Sequence, residues 1–221
     1  MSARAEILAR VRAALADVPA GEPERWDPDH DPDPAAAFTR TSDCDREQVV
    51  ELFAQRCDEY RANVVRCGAE AEAVRLAVTA ACARHRVRSL ALPRDLDASV
   101  VPRELTLYLD GPPLSTSQLD GCDGALTGCA LAIALTGTIV LDAGTGQGRR
   151  ALTLVPDLHV CVVRAEQVVH GVPQALALLK ASAQAARPLT FISGPSATSD
   201  IELKRVEGVH GPRRLEVVLA G

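Results

Sequence analysis

Long apolar runs are missing from these 221 residues: none approaches the roughly 20 positions that a membrane-crossing helix needs. The first residues are polar and charged, with no apolar centre, so they do not read as an export signal and the expected location is the cytoplasm. Bulk positive charge is missing too. With 24 Lys and Arg against 29 Asp and Glu, the net charge of −5 argues against a nucleic-acid binder that works by neutralising phosphates. Seven cysteines are present, yet none are spaced CxxC or CxxxC, and the closest pair is Cys122 and Cys129. That excludes the local clamp that holds a zinc ion or an iron–sulfur cluster. An odd cysteine count without an export signal predicts free thiols that serve as small buried hydrophobes. Also absent are the GKS or GKT of a triphosphate-binding loop, the GxSxG elbow of a serine hydrolase, and any internal repeat.

What is there suits one sizeable α/β domain with an extension, since 47% of the chain is apolar and able to build a core. Ser2 is placed to cap a helix whose apolar stripe is Ile7, Leu8, Val11, Ala14 and Leu15. The stretch from Pro19 to Pro34 is rich in Pro, Asp and Glu and reads as a linker. Residues 1–37 are therefore expected to be a helical extension with an acidic linker, and residues 38–221 a single α/β domain. Beyond the linker the periodicity predicts helices over Asp45–Arg61, Ala69–His85 and Val172–Ala186, the last with Pro173 in its first turn. Strands are predicted at Asn63–Cys67, Ser89–Leu92, Leu105–Leu109, Leu158–Val163, Leu189–Ile192 and Leu215–Leu219. Ala130–Leu135 and Thr138–Leu141 flank Thr136-Gly137 as a hairpin. Strands alternating with helices indicate a largely parallel sheet covered by helices.

Two glycine-rich segments hold most of the small polar residues able to do chemistry. The first, TGTIVLDAGTGQGRR, places Thr136, Gly137, Thr138, Gly144, Gly146, Gly148, Arg149 and Arg150 as candidate ligand contacts. Glycine admits close backbone approach, hydroxyls and exposed N–H groups cradle anions, and arginine pairs with carboxylate or phosphate. Its GxGxG pattern is not the GxGxxG of a dinucleotide site, and Pro156 leaves too little room for the helix that site requires. The loop is expected to be flexible, with Arg149 and Arg150 facing an anion. The second segment, SGPSATSDIE, adds Ser193, Gly194, Ser196 and Thr198, followed by Gly208-Val-His210-Gly-Pro212. His210, in a loop before the last strand, is a candidate acid or base. Asp200 and Glu202 alternate with Ile201 and would share one side of an extended segment, where they hold a cation, orient an arginine or cap the next helix. His159 opens an apolar strand, as either a satisfied buried group or a ligand contact. His30, His85 and His170 read as surface residues, and no histidine spacing suggests a metal site.

These segments carry a family resemblance. Leu126-Thr-Gly128-Cys-Ala130, Ala132-Ile-Ala134, Thr136-Gly-Thr138, the glycine loop to Arg149, Pro156 with His159, Ser193-Gly-Pro-Ser196 with Thr198 and Asp200-Ile-Glu202, and Gly208-Val-His-Gly-Pro212 resemble the lactate utilisation protein C family. The resemblance spans roughly residues 45–221, with its specific part in the second half. It implies a Rossmann-like mixed sheet similar to the fold of ribose-5-phosphate isomerase, glucosamine-6-phosphate deaminase and CoA transferases. It also implies work alongside two iron–sulfur partner proteins in oxidising L-lactate to pyruvate, with the clusters on the partners and no cofactor in this chain. His210, Asp200 and Glu202 then stand as candidate catalytic residues beside a pocket for a small anionic metabolite. Family members often carry an acidic residue just before the TGT turn, whereas this chain has Leu135, which cannot supply the glutamate nucleophile of the related CoA transferases. An autonomous enzyme or a ligand-sensing module for a small carboxylated or phosphorylated metabolite remains the alternative.

Purified alone under anaerobic conditions, the chain should carry no stoichiometric cluster. Iron and acid-labile sulfide analysis checks this, and about four irons per chain would contradict it.

Overall fold

The computed structural model describes residues 3–14, 45–198, 206–208 and 210–221. The chain divides into two compact units, Met1–Arg40 and Thr41–Gly221. In the first, helix α1 (Ala3–Ala14) exposes its apolar residues Ile7, Leu8 and Val11.

The second unit begins with a capping box. Asp45 Oδ1 accepts the Gln48 N–H at 2.8 Å while Gln48 Oε1 accepts the Asp45 N–H at 3.2 Å, which satisfies two of the amides a helix start leaves orphaned. Helix α2 (Arg46–Glu59) follows and buries Val49, Phe53 and Cys57, one residue per turn along a single stripe. Helix α3 (Ala71–Arg84) does the same with Val74, Ala77, Val78, Ala81 and Cys82. Between and beyond them lie β1 (Asn63–Cys67), β2 (Ser89–Pro93), β3 (Thr106–Asp110), the short helix α4 (Thr116–Asp120) and β4 (Gly124–Thr127). Strands β5 (Leu131–Ile133), β6 (Thr138–Leu141), β7 (Leu158–Arg164) and β8 (Val168–Val169) come next. Helix α5 (Val172–Gln184), β9 (Thr190–Ile192), β10 (Ala197–Thr198), β11 (Val206–Glu207) and β12 (Arg214–Ala220) complete the described elements.

Six strands form a parallel sheet in the order β1-β12-β7-β4-β2-β3. Its central ladder joins β7 to β12 over seven pairs, from Leu158↔Arg214 to Arg164↔Ala220. Both faces of β7 are covered, which explains its unbroken apolar run. Val160 and Val162 pack toward α3, while Cys161 and Val163 pack toward α2 and the β5–β6 hairpin. Mixed pairing is confined to a second, four-stranded sheet in the order β8-β5-β6-β9. Helix α5 covers that sheet, setting Ala175 and Leu179 against Leu131, Ile133 and Val140. The hairpin turn rests on Gly137 at φ 56°, where a β-carbon would lie 2.8 Å from the Arg56 backbone, so the turn and α2 require glycine there.

Helix α4 and the short strands β4, β8, β10 and β11 escape the sequence pattern. Helix α4 and strand β4 have five and four residues, too short for a period to register, and β4 lies before the hairpin strand read from Ala130. The glycine loop also differs from the flexible segment expected, because buried polar groups pin it. Asp142 Oδ1 accepts from the Gly144 N–H at 3.0 Å and Gln147 Nε2 at 2.8 Å. Its Oδ2 accepts from the Ser182 hydroxyl at 2.6 Å and pairs with Arg187 at 2.7 Å. A buried carboxylate must be satisfied by such donors, so the loop is held in one shape.

This network makes stability acid-sensitive. Burial alone would raise the Asp142 pKa, but the hydrogen bonds from Ser182, Gln147 and Gly144 and the Arg187 charge outweigh it and bring it below the ordinary 3.8. Asp110 and Asp123 are lowered in the same way. Because the folded values lie below the unfolded ones, the stabilisation is complete above the ordinary carboxylate value and is lost as pH falls through the lowered values. Asp142→Asn should lower the melting temperature at neutral pH and flatten its decline between about pH 5 and 2, as followed by circular dichroism.

Candidate functional site

At the amino ends of β7 and β12 the parallel sheet meets the end of β9, and a cavity of about 220 Å³ opens between them. Arg150, Thr153, His159, Ser193, Ser196 and His210 give it polar walls, with Phe191, Ile192 and Leu215 as apolar ones. Chain segments far apart in sequence thus converge on one space.

The Ser193–Ser196 loop is seated on the end of α2. Gly194 has φ 80°, and a β-carbon on it would lie 2.6 Å from the Tyr60 carbonyl oxygen, so the contact admits glycine alone. Ser196 knits this loop to the one after β11. Its N–H donates to the Pro212 carbonyl at 2.8 Å, its carbonyl accepts the Gly208 N–H at 3.1 Å, and its hydroxyl accepts the His210 N–H at 3.1 Å. The His210 side chain is left exposed at the cavity.

Arg150 lies in a short 3-10 turn, Arg150–Thr153. Its Nη1 donates to the Thr153 carbonyl at 2.7 Å and to the Thr153 hydroxyl at 3.0 Å, and Nη2 donates to the His210 carbonyl at 3.3 Å. Partial burial lowers its pKa, because desolvation disfavours the charged form. These backbone acceptors fix the guanidinium without neutralising it, which leaves its charge for an anion.

His159 is 1% exposed, and its Nε2 lies 2.8 Å from the Thr127 hydroxyl on the neighbouring strand. Two residues along β7, the Cys161 thiol is held below its ordinary value by Cys129 first and then by His159 and Thr127, against the opposing effect of burial. Cys129 is driven up by the same contact and by burial. On the hairpin side a row of hydroxyls runs toward the cavity: Thr136 to Thr138 at 2.7 Å and Thr138 to Ser193 at 2.8 Å.

The candidates therefore divide. Arg150, His159, Ser193, Gly194, Ser196 and His210 come together, with Thr136, Gly137 and Thr138 in the hairpin turn behind them. Gly144, Gly146 and Gly148 belong to the pinned loop and do not line this cavity. Arg149 turns away from it, donating to both Asp110 oxygens at 2.8 and 3.0 Å and to the Leu114 carbonyl. The charge expected to face an anion is thus used inside the fold. Thr198 falls in β10, while Asp200 and Glu202 lie outside the described residues. His85 is half-buried rather than on the surface, its Nε2 2.6 Å from the buried Glu216. The sequence reading missed Thr127 and Thr153. Thr127 had one signal, a lone polar residue in an apolar strand, whereas Thr153 had none.

Among the described residues no group of three or more His, Cys, Asp or Glu side chains is arranged to hold a metal ion. No helix among them is long and apolar enough to cross a membrane.

Comparison with known proteins gives this cavity a family. Residues 115–220 match the LUD domain. A lactate utilization protein C from Deinococcus radiodurans is 45% identical over 176 residues, 80% of this chain and 81% of that protein. One from Geobacillus kaustophilus is 30% identical over 123 residues, about half of each chain. A crystal structure of a DUF162 family protein from Deinococcus radiodurans superposes with a TM-score of 0.69 at 39% identity, covering 80% of this chain and 99% of that one. The cavity's polar walls fall within or close to the matched domain, and the chain belongs to the lactate utilisation protein C family.

Proposed function

We propose that this chain is a cytoplasmic, cluster-free subunit of a system that oxidises L-lactate to pyruvate with two iron–sulfur partner proteins. The observation that carries the reading is the convergence of Arg150, Ser193, Ser196, His159 and His210 on one cavity of about 220 Å³ in a member of a lactate-utilisation family. Lactate and pyruvate are small carboxylates. A fixed guanidinium with neighbouring hydroxyls is the chemistry that recognises a carboxylate.

In this reading Arg150 holds the substrate carboxylate, with the Ser193 and Ser196 hydroxyls as further donors. Oxidation of L-lactate to pyruvate breaks both the O–H and the C2–H bond: the C2 hydrogen and the electron pair leave toward the partner proteins, and the hydroxyl proton needs a base. The exposed His210 imidazole, at the wall of the cavity, is the group placed to take that proton. His159 is a positioning residue, because its Nε2 is already engaged by Thr127 and its ring is buried. The iron–sulfur partners supply the electron-accepting chemistry. The cysteines described here are free thiols, most of them buried in the core.

The test is co-purification with native partners, followed by lactate-dependent dye reduction with and without this chain. Undiminished activity in its absence would refute the subunit reading. His210→Asn should reduce activity per folded molecule by roughly 100-fold while leaving the melting temperature in place. Arg150→Ala should weaken pyruvate binding to the isolated chain by roughly tenfold or more. Arg149→Ala should do the reverse, lowering the melting temperature because the buried Asp110 loses its partner while ligand affinity per folded molecule is kept.

A further inference from the structure

A second cavity, of about 250 Å³, opens at the opposite end of the same sheet. Its position follows from topology. From β2 the chain passes to β3 on one side of the sheet, and from β4 it passes to β7 on the other, so the connections diverge between the neighbours β2 and β4. Open α/β sheets bind ligands in the crevice that such a divergence leaves at the carboxyl ends of the strands. The cavity lies in that crevice, bounded by the loop after β2, the end of β4, the glycine loop and the end of β7.

Its walls are chemically sorted. Leu96, Val100 and Val162 make an apolar floor. The glycine loop closes over the end of β4 where the Gly128 N–H donates to the Gly146 carbonyl at 2.8 Å. Gln167 is held in place, its amide donating to the Cys129 carbonyl at 2.7 Å and its oxygen accepting the Arg164 N–H at 2.9 Å. It shapes the wall through these two bonds. Three charged groups remain at the mouth: the Arg164 guanidinium, which makes no ion pair among the described residues, and the exposed carboxylates of Asp95 and Asp97. Asp97 also accepts the Ser99 N–H at 2.9 Å, which fixes its place on the rim.

This distribution selects a ligand. A bare anion would be attracted by one cation and repelled by two carboxylates. A ligand that offers hydroxyl donors to the carboxylates, an anionic group to the arginine and a flat apolar body to the floor satisfies all three. We propose that this cavity is a nucleotide site, taking the base against Leu96, Val100 and Val162, the ribose hydroxyls on Asp95 and Asp97, and a phosphate on Arg164 beside the glycine loop. The proposal is independent of the lactate reading, since none of these residues lines the cavity at the amino ends of β7 and β12.

The purified full chain can be titrated into 1,N6-ethenoadenosine monophosphate, with binding read by fluorescence anisotropy. AMP should compete, and ribose 5-phosphate, adenosine and inorganic phosphate should each compete at least about tenfold less well. Arg164→Gln and Asp95→Asn should each weaken binding by roughly tenfold or more without moving the melting temperature. Leu96→Trp, which fills the floor, should abolish it, whereas Arg150→Ala should leave it unchanged. Absence of binding at about millimolar nucleotide would overturn the proposal. So would unchanged affinity in folded Arg164→Gln and Leu96→Trp. Competition by ribose 5-phosphate as strong as by AMP would mean that the base is not read, and equal competition by phosphate would reduce the site to a bare anion contact. Either result refutes a nucleotide site.

Discussion

The ladder between β7 and β12 is the constraint on which the rest of this fold depends. Seven consecutive parallel pairs in the middle of a sheet covered on both faces leave no freedom of register, because a slip by one residue would turn every apolar side chain to the wrong layer. With that register set, His159 and Leu215 must stand side by side at the amino end and Arg164 must emerge at the carboxyl end. Both cavities are therefore consequences of how two strands align, rather than of the loops that decorate them.

The loops are held by a second kind of constraint, the need of buried polar groups for partners. Asp142, Asp110 and Glu216 are almost fully buried, and each is met by several donors from different elements. Such networks are costly when half-made and rigid when complete. They account for a glycine-rich loop that is fixed although its composition suggests freedom, and for two adjacent arginines with separate roles. Arg149 neutralises a buried carboxylate, while Arg150 is bound to carbonyls and keeps its charge.

Much of this was legible in the amino-acid sequence. Asn63–Cys67 stands where its β-branched run predicts, and the TGT turn makes the hairpin that its Gly137 requires. The long strand from Leu158 shows itself because burial on both faces leaves a continuous apolar signature. The convergence of His210, the SGPS loop and Arg150 was suggested by composition, since small polar residues gathered after strands have few structural duties. What was not legible follows from distance. Nothing in Arg149 announces Asp110, and nothing in His85 announces Glu216, 131 residues away. Nor does periodicity show where a parallel sheet changes the direction of its connections, which is why one expected pocket resolves into two.

The edge strand β1 has a consequence for how the molecule is made. Its partner in the sheet is β12, and Asn63 meets Glu216 across 153 residues of chain. During synthesis β1 emerges about 150 residues before the strand that completes its hydrogen bonds. Until then α2 has no Leu215, Val217 or Leu219 to cover, and the SGPS loop lacks the strand beside which its cavity forms. Closure of the sheet is thus a late, long-range event, of the kind that slows folding and leaves an apolar half-layer in need of protection on the nascent chain.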